Sequence, residues 1–198
     1  MEVSLLSFTI EPEDLIANAG RTCYRSSGKD SGRFVRNRIK EGHESIIEHS
    51  SVTFVISGIS RACSHQLVRH RIASYSQESQ RYVDMSDAEF VIPPLIANHE
   101  DENVRLLWDS TIAYITDIYE RFRKLGIRKE DARYLLPNAT ETKIVVTMNF
   151  RSLRHFFEVR CDKSAQWEIR ELAIEMLRIV NLLAPNVFGD LYEKFVGA

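Results

Sequence analysis

The sequence lacks most of the features that announce the commoner chemistries. Only three cysteines occur in 198 residues, Cys23, Cys63 and Cys161. They are odd in number, widely spaced and without a CxxC pair, which excludes a zinc knuckle or a dithiol redox motif and leaves buried or indifferent thiols of a reducing compartment. No apolar run approaches the length needed to span a membrane, and Met1-Glu2-Val3-Ser4 does not open a signal-peptide pattern. A cytoplasmic protein without a membrane partner is therefore expected. The net charge of −2 argues against nucleic-acid binding by bulk electrostatics. There is no GxGxxG fingerprint of a dinucleotide-binding βαβ unit. The polar loop Ser26 to Gly32 lacks GxxxxGK[ST] and follows a predicted helix, so it reads as a connector. His43 and His49 are two residues too far apart for HExxH, and no metal is expected.

What is present suits one globular domain, 1–198, since there is no repeat and no linker. Hydrophobic residues make up 44% and charged residues 27%, ordinary values for a chain with a substantial core. Strands are predicted over Val3 to Phe8, over Ser51 to Ser57 with Gly58 as boundary, and over Lys143 to Phe150. Helices are predicted from Pro12 with Leu15, Ile16, Ala19 and Cys23 inward, around Phe34 to Ile39, and over Ile59, Ala62, Cys63 and Leu67. A long amphipathic helix runs from about Glu100 to Leu125, with Leu107, Trp108, Ile112, Ile115, Ile118, Tyr119 and Phe122 as its core-facing side. Phe90 to Pro94 reads as a strand or extended segment, and Lys129 to Tyr134 as a short helix before Pro137. Arg151 to Val159 is a helix. Another starts at Gln166-Trp167-Glu168, capped by Ser164 and stopped by Pro185. A tail then docks through Phe188, Leu191, Tyr192 and Phe195.

The unusual stretch is Arg69 to Tyr82, with three arginines, a histidine, three serines and two tyrosines against one acid, Glu78. Guanidinium groups are almost never buried without partners, so this run reads as a surface gripping an anionic ligand that also offers flat rings. Between Arg61 and Tyr82 four arginines face Glu78 alone, a local anion site on a near-neutral protein. Gln66 lies three residues before Arg69 and shares its helical face. With about 100° between successive helical residues, Arg69 and Arg71 point to nearly opposite sides. That divergence suggests a site shared between subunits, or two ligands side by side. Arg151 and His155 are one turn apart on one side of their helix, and Arg160 is opposite Arg151.

Arg69-His70-Arg71, seven further residues and Ser79, continued by Arg81-Tyr82, resembles the signature of the flavin-dependent thymidylate synthases. The likeness extends in order and spacing to Gly42-His43-Glu44, to Arg133 through Pro137, to Asn149 through Leu153 and Arg160, and to Ala165 through Glu168. It implies an α/β fold of the α+β type, a mostly antiparallel central sheet flanked by helices, and a homotetramer with shared active sites. It implies conversion of dUMP to dTMP, with methylenetetrahydrofolate as carbon donor and NADPH reducing a bound FAD, without a cysteine nucleophile. By position, Gln66, Arg69, Gln77, Glu78, Ser79, Gln80, Arg81, Arg133 and Arg160 would bind dUMP, with Arg160 catalytic. His43, Ser45, Glu48, Arg69, His70, Arg71, Ser76, Gln77, Asn149, Arg151 and His155 would hold FAD.

A nucleophilic Ser79 is disfavoured, because no base or triad pattern accompanies it. Its expected role is donation to the phosphate. The chain departs from the family pattern at Gln77, where several members carry a carboxylate, at Ser164, where some carry histidine, and at His155, which replaces an asparagine. An amide at Gln77 can hydrogen-bond but cannot act as a base. The rival reading is a non-catalytic nucleotide- or RNA-binding protein using the Arg69–Tyr82 surface, with steep salt dependence and no flavin.

Overall fold

The computed structural model of the chain describes residues 1–197. It begins with strand β1 (Glu2–Phe8), followed by helices α1 (Pro12–Tyr24) and α2 (Ser31–Lys40). Proline at the first turn, with Glu13 and Asp14 behind it, starts α1, since that turn has backbone N–H groups to spare and a positive dipole end. The last two residues of the predicted connector belong to α2, because Asp30 caps it by accepting from the Arg33 amide. Glu44–His49 forms a 3₁₀ turn.

Strand β2 (Ser51–Ser60) runs on past its expected end. Gly58 adopts φ of +72° inside it, a conformation costly for other residues, so this glycine carries the strand on rather than ending it. Ile59 consequently lies in β2, not on the following helix α3 (Arg61–Leu67), where Cys63 and Leu67 are buried. Strand β3 (Ala73–Gln77) lies within the arginine-rich run. It alternates half-buried and exposed residues, so Ala73, Tyr75 and Gln77 share one face.

Phe90 pairs with Thr140 as an isolated antiparallel bridge before α4 (Pro94–Ala97). Then come α5 (Glu102–Lys124), α6 (Lys129–Ala132), a 3₁₀ turn over Arg133–Leu135, and β4 (Glu141–Asn149). Helices α7 (Phe150–Arg160), α8 (Trp167–Leu183) and α9 (Pro185–Phe195) complete the chain. The last two expectations need correction. Ser164 does not cap α8: it turns back on Asp162, and Gln166 caps the helix by accepting from the Glu168 and Ile169 amides. Pro185 does stop α8, but it also opens α9 at a first-turn position. A residue without an N–H fits that place, so the expected tail is a helix.

The four strands form one sheet in the order β1-β2-β4-β3. Its pairings are antiparallel: the Thr9 amide reaches the Ser51 carbonyl, Thr53 meets Thr147, and the Glu78 amide reaches the Lys143 carbonyl. An α/β fold of the α+β type with an antiparallel sheet is what the sequence implied. No helix among the described residues is long and apolar enough to cross a membrane.

The chain divides into two compact units, residues 1–56, 66–76 and 144 onward, and residues 57–65 with 77–143. In the first, Ile47, Phe54, Ile56, Val146, Phe150, Phe157, Met176 and Phe188 are fully or almost fully buried. In the second, Met85, Tyr119 and Ala132 form a small core with Ala88 and Leu136. That smallness changes the reading of α5. Tyr119 alone is buried on that helix, while Leu107 is 69% and Tyr114 67% exposed.

The Tyr119 hydroxyl accepts the Met85 amide at 3.2 Å. Tyr119→Phe would leave that buried N–H without its acceptor, so urea unfolding is expected to show a loss of about 1–3 kcal/mol with an unchanged denaturant slope. An unchanged midpoint would show that the hydroxyl does not satisfy Met85.

Candidate active site

In the first unit the Arg69–Arg71 segment is a tight turn, not a continuation of α3, which ends at Leu67. The Arg69 and His70 amides close back on the Gln66 and Leu67 carbonyls, and Ile72 takes φ of +63°. Arg69 and Arg71 therefore do not stand on opposite sides of a helix, as their spacing suggested. The Tyr75 hydroxyl lies 2.9 Å from the carbonyls of both Leu67 and His70 and holds the turn closed. Burial pushes that phenol up to about 12, so it remains protonated and able to donate. Arg69 and Arg71 are exposed, and neither forms an ion pair among the described residues.

Arg160, at the end of α7, comes to this turn. Its Nε donates to His70 Nε2 at 2.9 Å and its Nη1 donates to Gln66 Oε1 at 3.3 Å. His70 also meets the Phe156 ring edge-on at 4.9 Å and lies 6.2 Å from the His155 ring. Burial, then the charge of Arg160 and the nearby His155, lowers His70 to about 4. It is thus a neutral imidazole with its proton on Nδ1. A neutral acceptor can hold Arg160 without neutralising it, leaving a fixed cation with free N–H groups.

The other predicted residues of this unit lie along α7, around the 3₁₀ turn and on β3. Asn149 caps the helix by accepting the Ser152 amide, which commits its carbonyl oxygen. Arg151 pairs with Glu48 of the 3₁₀ turn. His155, Ser45 and His43 are exposed, with His43 4.0 Å from Glu41. Ser76 is exposed on β3.

The second unit holds Gln77 through Arg81 and Arg133. The Gln77 amide nitrogen donates to Ser64 Oγ at 2.8 Å and Thr142 Oγ1 at 3.2 Å, leaving only its oxygen for a ligand. A carboxylate could not make those two donations, which accounts for the amide here. Glu78 is exposed and its amide is tied to Lys143. Ser79 Oγ accepts the Arg81 amide at 3.3 Å, so its own proton is free. Arg81 pairs with Glu130 at 2.8 Å and stacks on Tyr82.

Gln80 and Arg133 line a cavity of about 260 Å³ together with Arg61, His65 and Tyr134. Burial, then the like charge of Arg133, lowers the Arg61 guanidinium, and the Glu78 carboxylate offsets only part of this. Sequence reading counted Arg61 in the local anion site without giving it a role of its own, and it passed over His65. Their separation of one helical turn on α3 placed them on one side, but nothing in the sequence brought Arg133 to them.

NMR of labelled imidazoles is expected to show His70 neutral, with its proton on Nδ1, from about pH 5 to 8. The unfolded chain takes up the proton first, because the folded value lies below the ordinary 6.5. The stability this neutral ring contributes is therefore complete above about 6.5 and declines as pH falls through about 4. A titration midpoint near 6.5 in the folded protein would contradict the Arg160 contact.

The family model for thymidylate synthase complementing protein matches residues 4–186. The flavin-dependent thymidylate synthase of Geobacter sulfurreducens is 48% identical, covering 96% of this chain and 86% of its own. That of Nitratidesulfovibrio vulgaris is 45% identical over 97% and 87%, and that of Pyrococcus furiosus 42% identical over 89% and 78%. This chain belongs to the flavin-dependent thymidylate synthase family.

Proposed function

We propose that the protein makes dTMP from dUMP, taking the carbon from methylenetetrahydrofolate and using FAD reduced by NADPH, in the cytoplasm. The observation that carries this reading is the state of Arg160: partly buried, aimed by two neutral partners, and without a carboxylate among the described residues. A cation held in that way stabilises negative charge developing on a uracil ring and needs no reorganisation as the charge appears. Arg61 and Arg133 suit the nucleotide phosphate, with Gln80 and the Ser79 hydroxyl as neutral donors.

Arg69 and Arg71 fit the FAD diphosphate, since both are exposed guanidinium groups without acidic partners among the described residues. His70, His155 and Arg151, with Ser45 and Glu48 of the 3₁₀ turn, complete the flavin set. Bound FAD supplies the hydride. Two of the three cysteines are poorly placed as nucleophiles, since Cys63 is buried and burial pushes the Cys161 thiol up to about 12; the exposed Cys23 lies on α1, which carries none of the residues assigned above.

The exposed apolar side of α5 supports assembly into a homotetramer, because exposed apolar surface of this kind marks an interaction face. Residues serving one nucleotide would then come from more than one subunit. Sedimentation is expected to give a tetramer for the natural protein and smaller species for Leu107→Glu. A monomer in both cases removes the assembly from the proposal.

The purified protein is expected to show a flavin absorption spectrum that shifts when dUMP is added. A spectrum indifferent to dUMP points to another flavoenzyme, and a protein that takes up no FAD ends this reading. Arg160→Ala should keep the flavin and lose turnover by about a hundredfold to a thousandfold. Arg61→Ala should weaken dUMP about tenfold or more.

A further inference from the structure

Arg154 is absent from every set above, yet it is one of the charged side chains buried in the first unit. It lies on α7 between Arg151 and His155, and only 4% of it is exposed. Its Nη1 and Nη2 each donate to one oxygen of Asp190 at 2.7 Å, and Nη1 also donates to the Val187 carbonyl. Both partners belong to α9. Its Nε makes no hydrogen bond, and the nearest acid there is Glu44 Oε1 at 3.6 Å. The second oxygen of Glu44 lies 4.0 Å from Arg151 Nε, so one carboxylate stands between the two arginines. Glu44 opens the 3₁₀ turn that contains Ser45 and Glu48.

We infer that Arg154 is a positioning residue for the cofactor site: anchored by Asp190 on α9, it holds Glu44, and through Glu44 the turn Glu44–His49 and the guanidinium of Arg151. This inference rests on the assignment of Ser45, Glu48 and Arg151 to FAD. Its physical basis is that a buried guanidinium keeps its acceptors where its rigid fork needs them. Burial works against the Asp190 charge, but the pair with Arg154 outweighs it and holds the carboxyl below its usual range. The link is therefore ionic at neutral pH. Asp190 itself is 58% exposed at the side chain, so it is the end of the chain of contacts that can be altered with least damage to packing.

The test measures FAD affinity by flavin fluorescence quenching, well below the thermal midpoint, for the natural protein, Asp190→Asn, Glu44→Gln and the double variant. Each single change is expected to weaken FAD about tenfold. The double variant should lose less than the product of the two, because both act through Arg154. Arg154→Lys, which keeps the charge and loses the fork, should weaken FAD alongside them. A purely structural role predicts a lower thermal midpoint for Asp190→Asn with natural FAD affinity in the folded protein, and that result overturns the inference while leaving the FAD assignment standing. If Asp190→Asn does not fold, Asp190→Glu and Glu44→Gln decide by the same criterion. Failure of the natural protein to bind FAD would remove the assignment itself.

Discussion

A guanidinium group withdrawn from water is costly unless acceptors and opposite charge come to it. Arg154 imposes that constraint on the first unit. It draws the Asp190 carboxylate and the Val187 carbonyl of α9 to α7, and it faces Glu44 of the 3₁₀ turn. The aromatic contacts among Phe150, Phe157 and Phe188 pack the same pair of helices, but they are less directional. The ion pair joins one particular face of α7 to α9, and Arg151 and His155 on the same helix remain exposed.

Helix α7 distributes three tasks along its length. Asn149 satisfies the helix start, Arg151 meets the acidic 3₁₀ turn, and Arg160 reaches the Arg69–Arg71 turn. The neutral His70 is central to the last of these. A carboxylate in its place would hold Arg160 as firmly but would cancel the charge that makes it useful. The Tyr75 hydroxyl serves the same end from the backbone side by closing the turn that carries His70.

The second unit works by the opposite device. Arg61 and Arg133 line one cavity with Gln80, and their mutual repulsion, only partly offset at Arg61 by Glu78, favours a bound anion. Nearby, Arg81 is held by Glu130. The three arginines therefore differ in readiness: the cavity pair faces an open space, and Arg81 has to leave or share its acid to engage a phosphate.

The sequence by itself determined the long elements, the antiparallel α+β character, the family and the identity of the arginine-rich run. The long elements follow from apolar periodicity and helix-starting and helix-ending residues, and the family, with the antiparallel α+β character it implies, from the resemblance carried by a spaced motif; all of these signals are local in the chain. It did not determine that α3 stops at Leu67, that Ser76 and Gln77 lie on a strand, or that the residues after Pro185 form a helix. Short polar segments carry little periodic signal, and their conformation follows from pairing and packing. Nor did it reveal Arg61 beside Arg133, Gln77 donating to Ser64 and Thr142, or Arg154 buried against Asp190. Those pairings join residues from 13 to 72 positions apart. Only tertiary structure, by choosing which helix faces are withdrawn from water, decided which charges had to find one another.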